Sequence, residues 1–126
     1  MGVHIVHSLG DLERDLRAAA HDFKPQAGRA VREVARAGNR EAKRLAKRSA
    51  GKHGRHYHKS FTARKWIGPL TYQWGPDADM PQGGMSFERG SRNQPPHHDI
   101  AKGADLHGAP QLAVKAHVIF DRLFWP

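Results

Sequence analysis

Cysteine is absent from the 126 residues, which excludes disulfide staples and cysteine-based zinc sites. Long apolar runs are missing too. The opening MGVHIVHSLG lacks the hydrophobic stretch of a signal peptide, and Val6 stands where a myristoylation pattern needs Ser or Thr. No segment has the length and apolarity of a membrane span. The expectation is a soluble chain made inside the cell, with no membrane partner. Acidic residues are scarce: 12 against 21 Lys and Arg, for a formal charge of +9, with ten histidines besides. A pI near 10.5 suits nucleic acid, an acidic protein or an anionic surface, without choosing among them. Apolar content is low as well, at 38% with a mean hydropathy of −0.74. A single domain of this length can bury only a thin core, so surfaces completed by another copy of the chain are expected.

What is abundant is concentrated in residues 25–50 (PQAGRAVREVARAGNREAKRLAKRSA), which read as one long helix. Ala27, Val31, Val34, Gly38, Ala42, Leu45 and Ser49 recur every three or four residues and make a small or apolar face. Arg29, Arg32, Arg36, Arg40, Lys43 and Lys47 recur at the same spacing on a neighbouring face, as a basic ridge. Pro25 suits a first helical turn, and Gly51 and Gly54 are natural stops. Such a rod is about 39 Å long. Gly38 lowers helix stability by about 1 kcal/mol relative to alanine. Either another backbone passes close to it, or it is a tolerated glycine in an alanine-rich helix.

Before this rod, residues 3–6 suit a short strand. Ser8 suits the N-cap of a first helix with Asp11 as its capping-box partner, and that helix runs to about Asp22. The Phe23-Lys24-Pro25 junction is expected to break or bend the chain. After the rod, GKHGRHYHKS is a Gly- and His-rich loop by composition. Residues 60–67 and 70–74 alternate as strands across Gly68-Pro69, which predicts an antiparallel hairpin. Residues 75–84 form a loop, residues 85–88 return briefly to the sheet, and residues 89–96 are extended. Residues 112–120 fit a strand by alternation, but the pattern continues to Phe124, and length decides for a helix. An earlier helical turn starts at Asp99 and kinks at Gly108. The apolar arc of this closing helix is wide, so it is expected to be nearly enclosed, by the sheet on one side and a neighbouring subunit on the other.

The chemistry-bearing residues are less decisive. His53, His56 and His58, and separately His97, His98 and Asp99, offer metal ligands, but neither set has the spacing of a zinc site or of HExxH. A metal-dependent nuclease has candidates by composition alone, and neither a nucleophile elbow nor a P-loop is present. No catalytic, metal or cofactor site is therefore expected. The basic ridge can neutralise phosphates. It can also be a solvated face or a protein interface. No aromatic residue is interleaved with it in sequence, which argues against single-strand recognition. Glu88 either anchors its loop by accepting hydrogen bonds or is an ordinary exposed carboxylate.

Past Tyr72 the order of motifs resembles a known family. QWGPD at residues 73–77 and MSFERGSRNQPPH at residues 85–97 are similar to segments of tailed-phage head–tail joining proteins, the family of gene product ten of a Hong Kong lambdoid coliphage. In that family a small strand and helix precede a long Ala- and Lys-rich helix. A hairpin, a Gly-Pro-Asp turn, an aromatic-x-Glu-x-Gly-Ser segment and a Pro-Pro-His lead into a closing helix follow. Here Ala50 to Phe61, Phe87 to Ser91, and Pro95 to Leu123 follow the same order. Residues 79–84 are longer than usual for the family, and the histidine content is higher. The resemblance implies an α+β domain over 1–126, with a helical arm at 1–50, a small antiparallel sheet at 51–97 and a closing helix at 98–126 packed on the sheet.

It also implies a non-enzymatic virion component without cofactors. Assembled in the bacterial host cytoplasm, it would form a homo-oligomeric ring, a hexamer, at the head–tail interface as a neck or tail-completion protein. Its partners would be connector or stopper proteins, tail-tube or terminator proteins, and genomic double-stranded DNA in the lumen. Candidate contacts are the six ridge residues with Glu88, Arg89, Gly90, Ser91 and Arg92. A small basic nucleic-acid-binding protein is the alternative.

Overall fold

The computed structural model describes residues 9–124 except residue 93. The strand expected at residues 3–6 and the N-cap at Ser8 lie outside the described residues. The architecture is α+β, as expected. A long helix α1 (Leu9–Ser49) is followed by a 3-10 turn (His58–Ser60) and the strands β1 (Phe61–Gly68) and β2 (Thr71–Pro76). Three helices close the chain: α2 (Ser86–Arg89), α3 (Asp99–His107) and α4 (Ala109–Phe124).

The expected break at residues 23–25 is not found. Helix α1 runs unbroken for 41 residues, about 60 Å, with Pro25 inside it. Strong helix formers precede the proline, Ala18 to Ala20, and Arg17 pairs with Glu13 at 2.6 Å one turn apart. Pro25 and His21 are both exposed, so water can serve the His21 carbonyl that Pro25 cannot. Gln26 Nε2 donates to the next carbonyl, Asp22 O, at 3.3 Å.

Burial along α1 is turned slightly from the face read in sequence. Gly38 and Ala42 are buried as expected, but Ala30, Ala35, Asn39 and Ala46 join them, while Ala27, Val31, Val34 and Leu45 are half-buried. The reason is what lies across the helix. Helix α3 crosses at Gly38 and Ala42, where a Cβ on Gly103 would stand 2.7 Å from Gly38 O. The indole of Trp74 covers the other side of Gly38, 3.0 Å from where a Cβ would sit. Of the two readings of Gly38, close approach is the one found: the backbone of α3 passes at Gly103, and the space a Cβ would need is taken by the Trp74 indole.

The core is aromatic and small. Tyr57 stacks on Phe87 with ring centroids 4.5 Å apart and meets Phe61 edge-on at 5.0 Å. These rings pack on Ala42 and Ala46 of α1, and Ala50, Trp74 and Ile100 lie against the same cluster. The strands form an antiparallel hairpin in the register Phe61↔Pro76, Lys65↔Gln73 and Trp66↔Tyr72, with irregularities after Thr62 and Trp66. The Gln82 side chain pins the loop at 75–84 to the histidine-rich loop, accepting from His56 N–H at 2.7 Å and donating to His53 O.

Residues 85–88 do not return to the sheet. They enter α2, and the reason is that Phe87 and Glu88 are adjacent and both buried. A strand sends neighbouring side chains to opposite faces, whereas a helical turn can place Phe87 in the core and Glu88 beneath α3. The closing segment divides at Gly108, as expected, with Pro110 in the first turn of α4. Ile100 of α3 and Trp74 of β2 each pack against the core cluster, and Phe120 of α4 lines an apolar groove with Leu70 of the hairpin. Helix α4 also lies along α1, tied there by Lys115 and Glu33 at 2.9 Å. Its expected enclosure is not met within one chain: Ile119 is buried, but Val114, Val118 and Phe120 are exposed.

Candidate interaction site

The six ridge residues fall on one face of α1, as their spacing predicts. Arg29, Arg36, Arg40, Lys43 and Lys47 are exposed and Arg32 is half-buried. Arg36 and Arg40 point away from Gly38 and Ala42, which α3 covers, because two residues along an α-helix turn about 200°. None of the six makes an ion pair with a described residue. The two acids between them are already engaged. Lys115 bonds Glu33 and holds its carboxyl below the usual range, and Arg44 does the same for Glu41. At the C-terminal end of the ridge His58 is pushed down, first by burial and then by Lys47, Lys59 and Lys43. Among the described residues the ridge is a continuous strip of positive charge without ion pairs, with Arg29 and Arg32 acting on Glu33 through the field alone.

The second group of candidates is not part of that strip. Glu88 is 7% exposed, and its Oε1 and Oε2 accept from the backbone N–H groups of Ile100 at 2.7 Å and Ala101 at 3.2 Å. These are free donors at the start of α3, and a carboxylate there also meets the positive end of the helix dipole. The anchoring reading of Glu88 is therefore the one found, and Glu88 is not a surface contact. Gly90 adopts φ +85°, with Pro96 Cδ 3.0 Å from where a Cβ would stand, so a side chain is excluded by both conformation and space. Ser91 and Gln94 exchange backbone bonds of 2.8 and 3.2 Å, closing a tight turn. Arg89, Ser91 and Arg92 remain exposed.

A polar chain beside Glu88 was not legible in the sequence. Ser49 Oγ donates to Asp99 Oδ2 at 2.6 Å, His97 Nδ1 lies 2.9 Å from Ser49 Oγ, and Gln94 Nε2 lies 2.9 Å from His97 Nε2. With the Gln94 amide nitrogen donating to His97 Nε2, the tautomer that completes the chain carries its proton on Nδ1, facing Ser49. Donation then runs in one direction, from Gln94 to His97 to Ser49 to the carboxylate of Asp99, which is 1% exposed. The residue types are those of a hydrolase triad, but the order is not. A nucleophilic serine gives its proton to the histidine, whereas Ser49 gives it to Asp99 and accepts from His97. The chain fastens the end of α1 to the start of α3. Ser49 was read as part of the small-residue face, and His97 and Asp99 as metal candidates; their separation of about 50 positions left no pattern to join them.

Burial, followed by the charges of Glu88 and Asp99, pushes the Tyr57 phenol far above its ordinary range and keeps it protonated. Its Oη and Asn39 Oδ1 are buried without a partner among the described residues. No three His, Asp or Glu side chains converge in a ligand arrangement among the described residues. The site thus consists of a basic outer strip and, on the opposite side of the same helix, a partly buried polar clamp that ends on the buried Asp99. The chain matches no protein-family model, and comparison with curated proteins and with solved structures likewise gives no match.

Proposed function

We propose that this chain is a non-enzymatic structural subunit of a tailed-phage virion. It forms a homo-oligomeric ring, a hexamer, at the head–tail interface and serves as a neck or tail-completion protein that joins the tail to the connector. The observation that carries this reading is the apolar surface exposed on the described residues of the single chain. Leu16, Leu70 and Phe120 line a groove with Ala19, Ala20 and Phe23, and Val114 and Val118 continue the exposed apolar face of α4. Apolar area on this scale is what a second chain covers. The order of motifs along the chain supports the same class.

In such a ring the exposed Arg89, Ser91 and Arg92 are available to connector, stopper, tail-tube or terminator proteins. The ridge is available to the phosphates of double-stranded DNA in the lumen. The ridge also suits a free-standing basic nucleic-acid-binding protein, which is the second reading. Deleting the gene from its phage separates them. The structural reading predicts filled heads and finished tails that stay unjoined, with infectious particles lost, and joining restored when the purified chain is added. Normal yields of joined particles from the deletion would refute it.

A further inference from the structure

The hairpin brings to the ridge an aromatic side chain that the ridge lacks in sequence. Trp66 in β1 is 42% exposed and is set edge-to-face on its cross-strand partner Tyr72, with centroids 4.8 Å apart. The Tyr72 hydroxyl is itself held by Ala63 O at 2.6 Å, so the pair is braced by the strand. Trp66 and Pro69 form one wall of a cleft of about 470 Å³, and α1 forms the other with His21, Lys24, Arg29 and Arg32. The floor is Gly28, where a Cβ would stand 3.8 Å from the indole. Lys24, Arg29 and Arg32 make no ion pair with a described residue. Arg29 and Arg32 open the ridge that continues to Lys47.

We propose that this cleft binds a single-stranded segment of nucleic acid, with phosphates along Lys24, Arg29 and Arg32 and one unpaired base against Trp66. A row of cations beside an exposed ring in a groove is the chemistry that holds single strands without sequence preference. A duplex offers the row its phosphates but offers the ring no unpaired base. An anionic bilayer takes up aromatic side chains that project outward, and here the indole is set edge-on against Tyr72 and faces Gly28 of α1. The inference concerns a single chain and does not rest on ring assembly.

The test measures affinity by fluorescence anisotropy with labelled oligothymidylate, oligouridylate and a DNA duplex of equal length, and by co-sedimentation with phosphatidylserine-containing vesicles. Trp66→Leu, which keeps apolar bulk without a ring, is expected to weaken single-strand binding about tenfold and leave duplex binding unchanged. Trp66→Phe is expected to keep most of the affinity. Arg29→Glu combined with Arg32→Glu is expected to weaken both and flatten the salt dependence. Binding of either strand type supports the cleft, and the tighter one identifies the sugar it prefers. Equal losses on duplex and single strand in Trp66→Leu, no loss at all, or binding to vesicles alone would overturn the proposal. Thermal melts of each variant separate loss of binding from loss of fold.

Discussion

Gly103→Ala is expected to destabilise the protein by about 1–3 kcal/mol, and Gly103→Val by more. The sign is the informative part. Replacing glycine by alanine inside a helix normally adds up to about 1 kcal/mol of stability. At Gly103 that gain is overridden because the new Cβ would stand 2.7 Å from Gly38 O, 3.0 Å from Ala42 Cβ and 3.1 Å from Ala42 N. These atoms belong to the backbone and first side-chain carbon of α1, so no rotamer change relieves the contact and the helices must separate. Gly28→Ala is the control. It also lies within a helix, but its Cβ would meet Trp66 Cη2 at 3.8 Å, an ordinary contact. It is expected to raise stability. Urea unfolding of the two variants beside the parent decides the matter, and a stabilised Gly103→Ala would show that α3 does not cross α1 at this point.

The second large effect is expected at Glu88. Glu88→Ala removes both acceptors of the Ile100 and Ala101 N–H groups and leaves them in a site where the carboxylate was 7% exposed. Hydrogen bonds to a charged group contribute about 1.5–3 kcal/mol each, so losing the two costs about 3–6 kcal/mol. Glu88→Gln keeps one carbonyl acceptor without the charge and should lose about half as much. Amide hydrogen exchange should locate the damage, with protection falling first in α3. If Glu88 instead served an interface with another protein, Glu88→Ala would unfold at the parent's urea concentration and fail only in assembly.

Both effects depend on contacts far apart in the chain, and this marks the limit of what the residue pattern discloses. Periodicity was sufficient for α1, the hairpin across Gly68-Pro69 and the closing helix with its division at Gly108, because these follow from short-range spacing and turn chemistry. It failed at Pro25, where strong helix formers before the proline and exposure to water outweigh the local penalty. It failed again at residues 85–88, since the need to bury both Phe87 and Glu88 arises only once α3 lies above them. The ridge from Arg29 to Lys47 was legible as a single face. Its neighbour Trp66 was not, because the hairpin returns to α1 only in three dimensions. The same holds for Ser49, His97 and Asp99, which meet through the crossing of α1 and α3.

What joins these features is a division of labour along α1. One side carries the alanines, Gly38 and the clamp, and holds the chain's own elements. The opposite side carries cations that make no ion pair with a described residue, and an exposed apolar groove lies toward the N-terminal end of the helix at Leu16, Ala20 and Phe23. On the proposed function, a chain built this way is completed by neighbouring copies. Sedimentation velocity of the purified protein across a range of concentrations tests that claim most directly. A closed ring predicts a discrete species of six times the 14.1 kDa chain mass, lost when Phe120→Asp places a charge in the groove. A single 14.1 kDa species at every concentration, unchanged by Phe120→Asp, would contradict it.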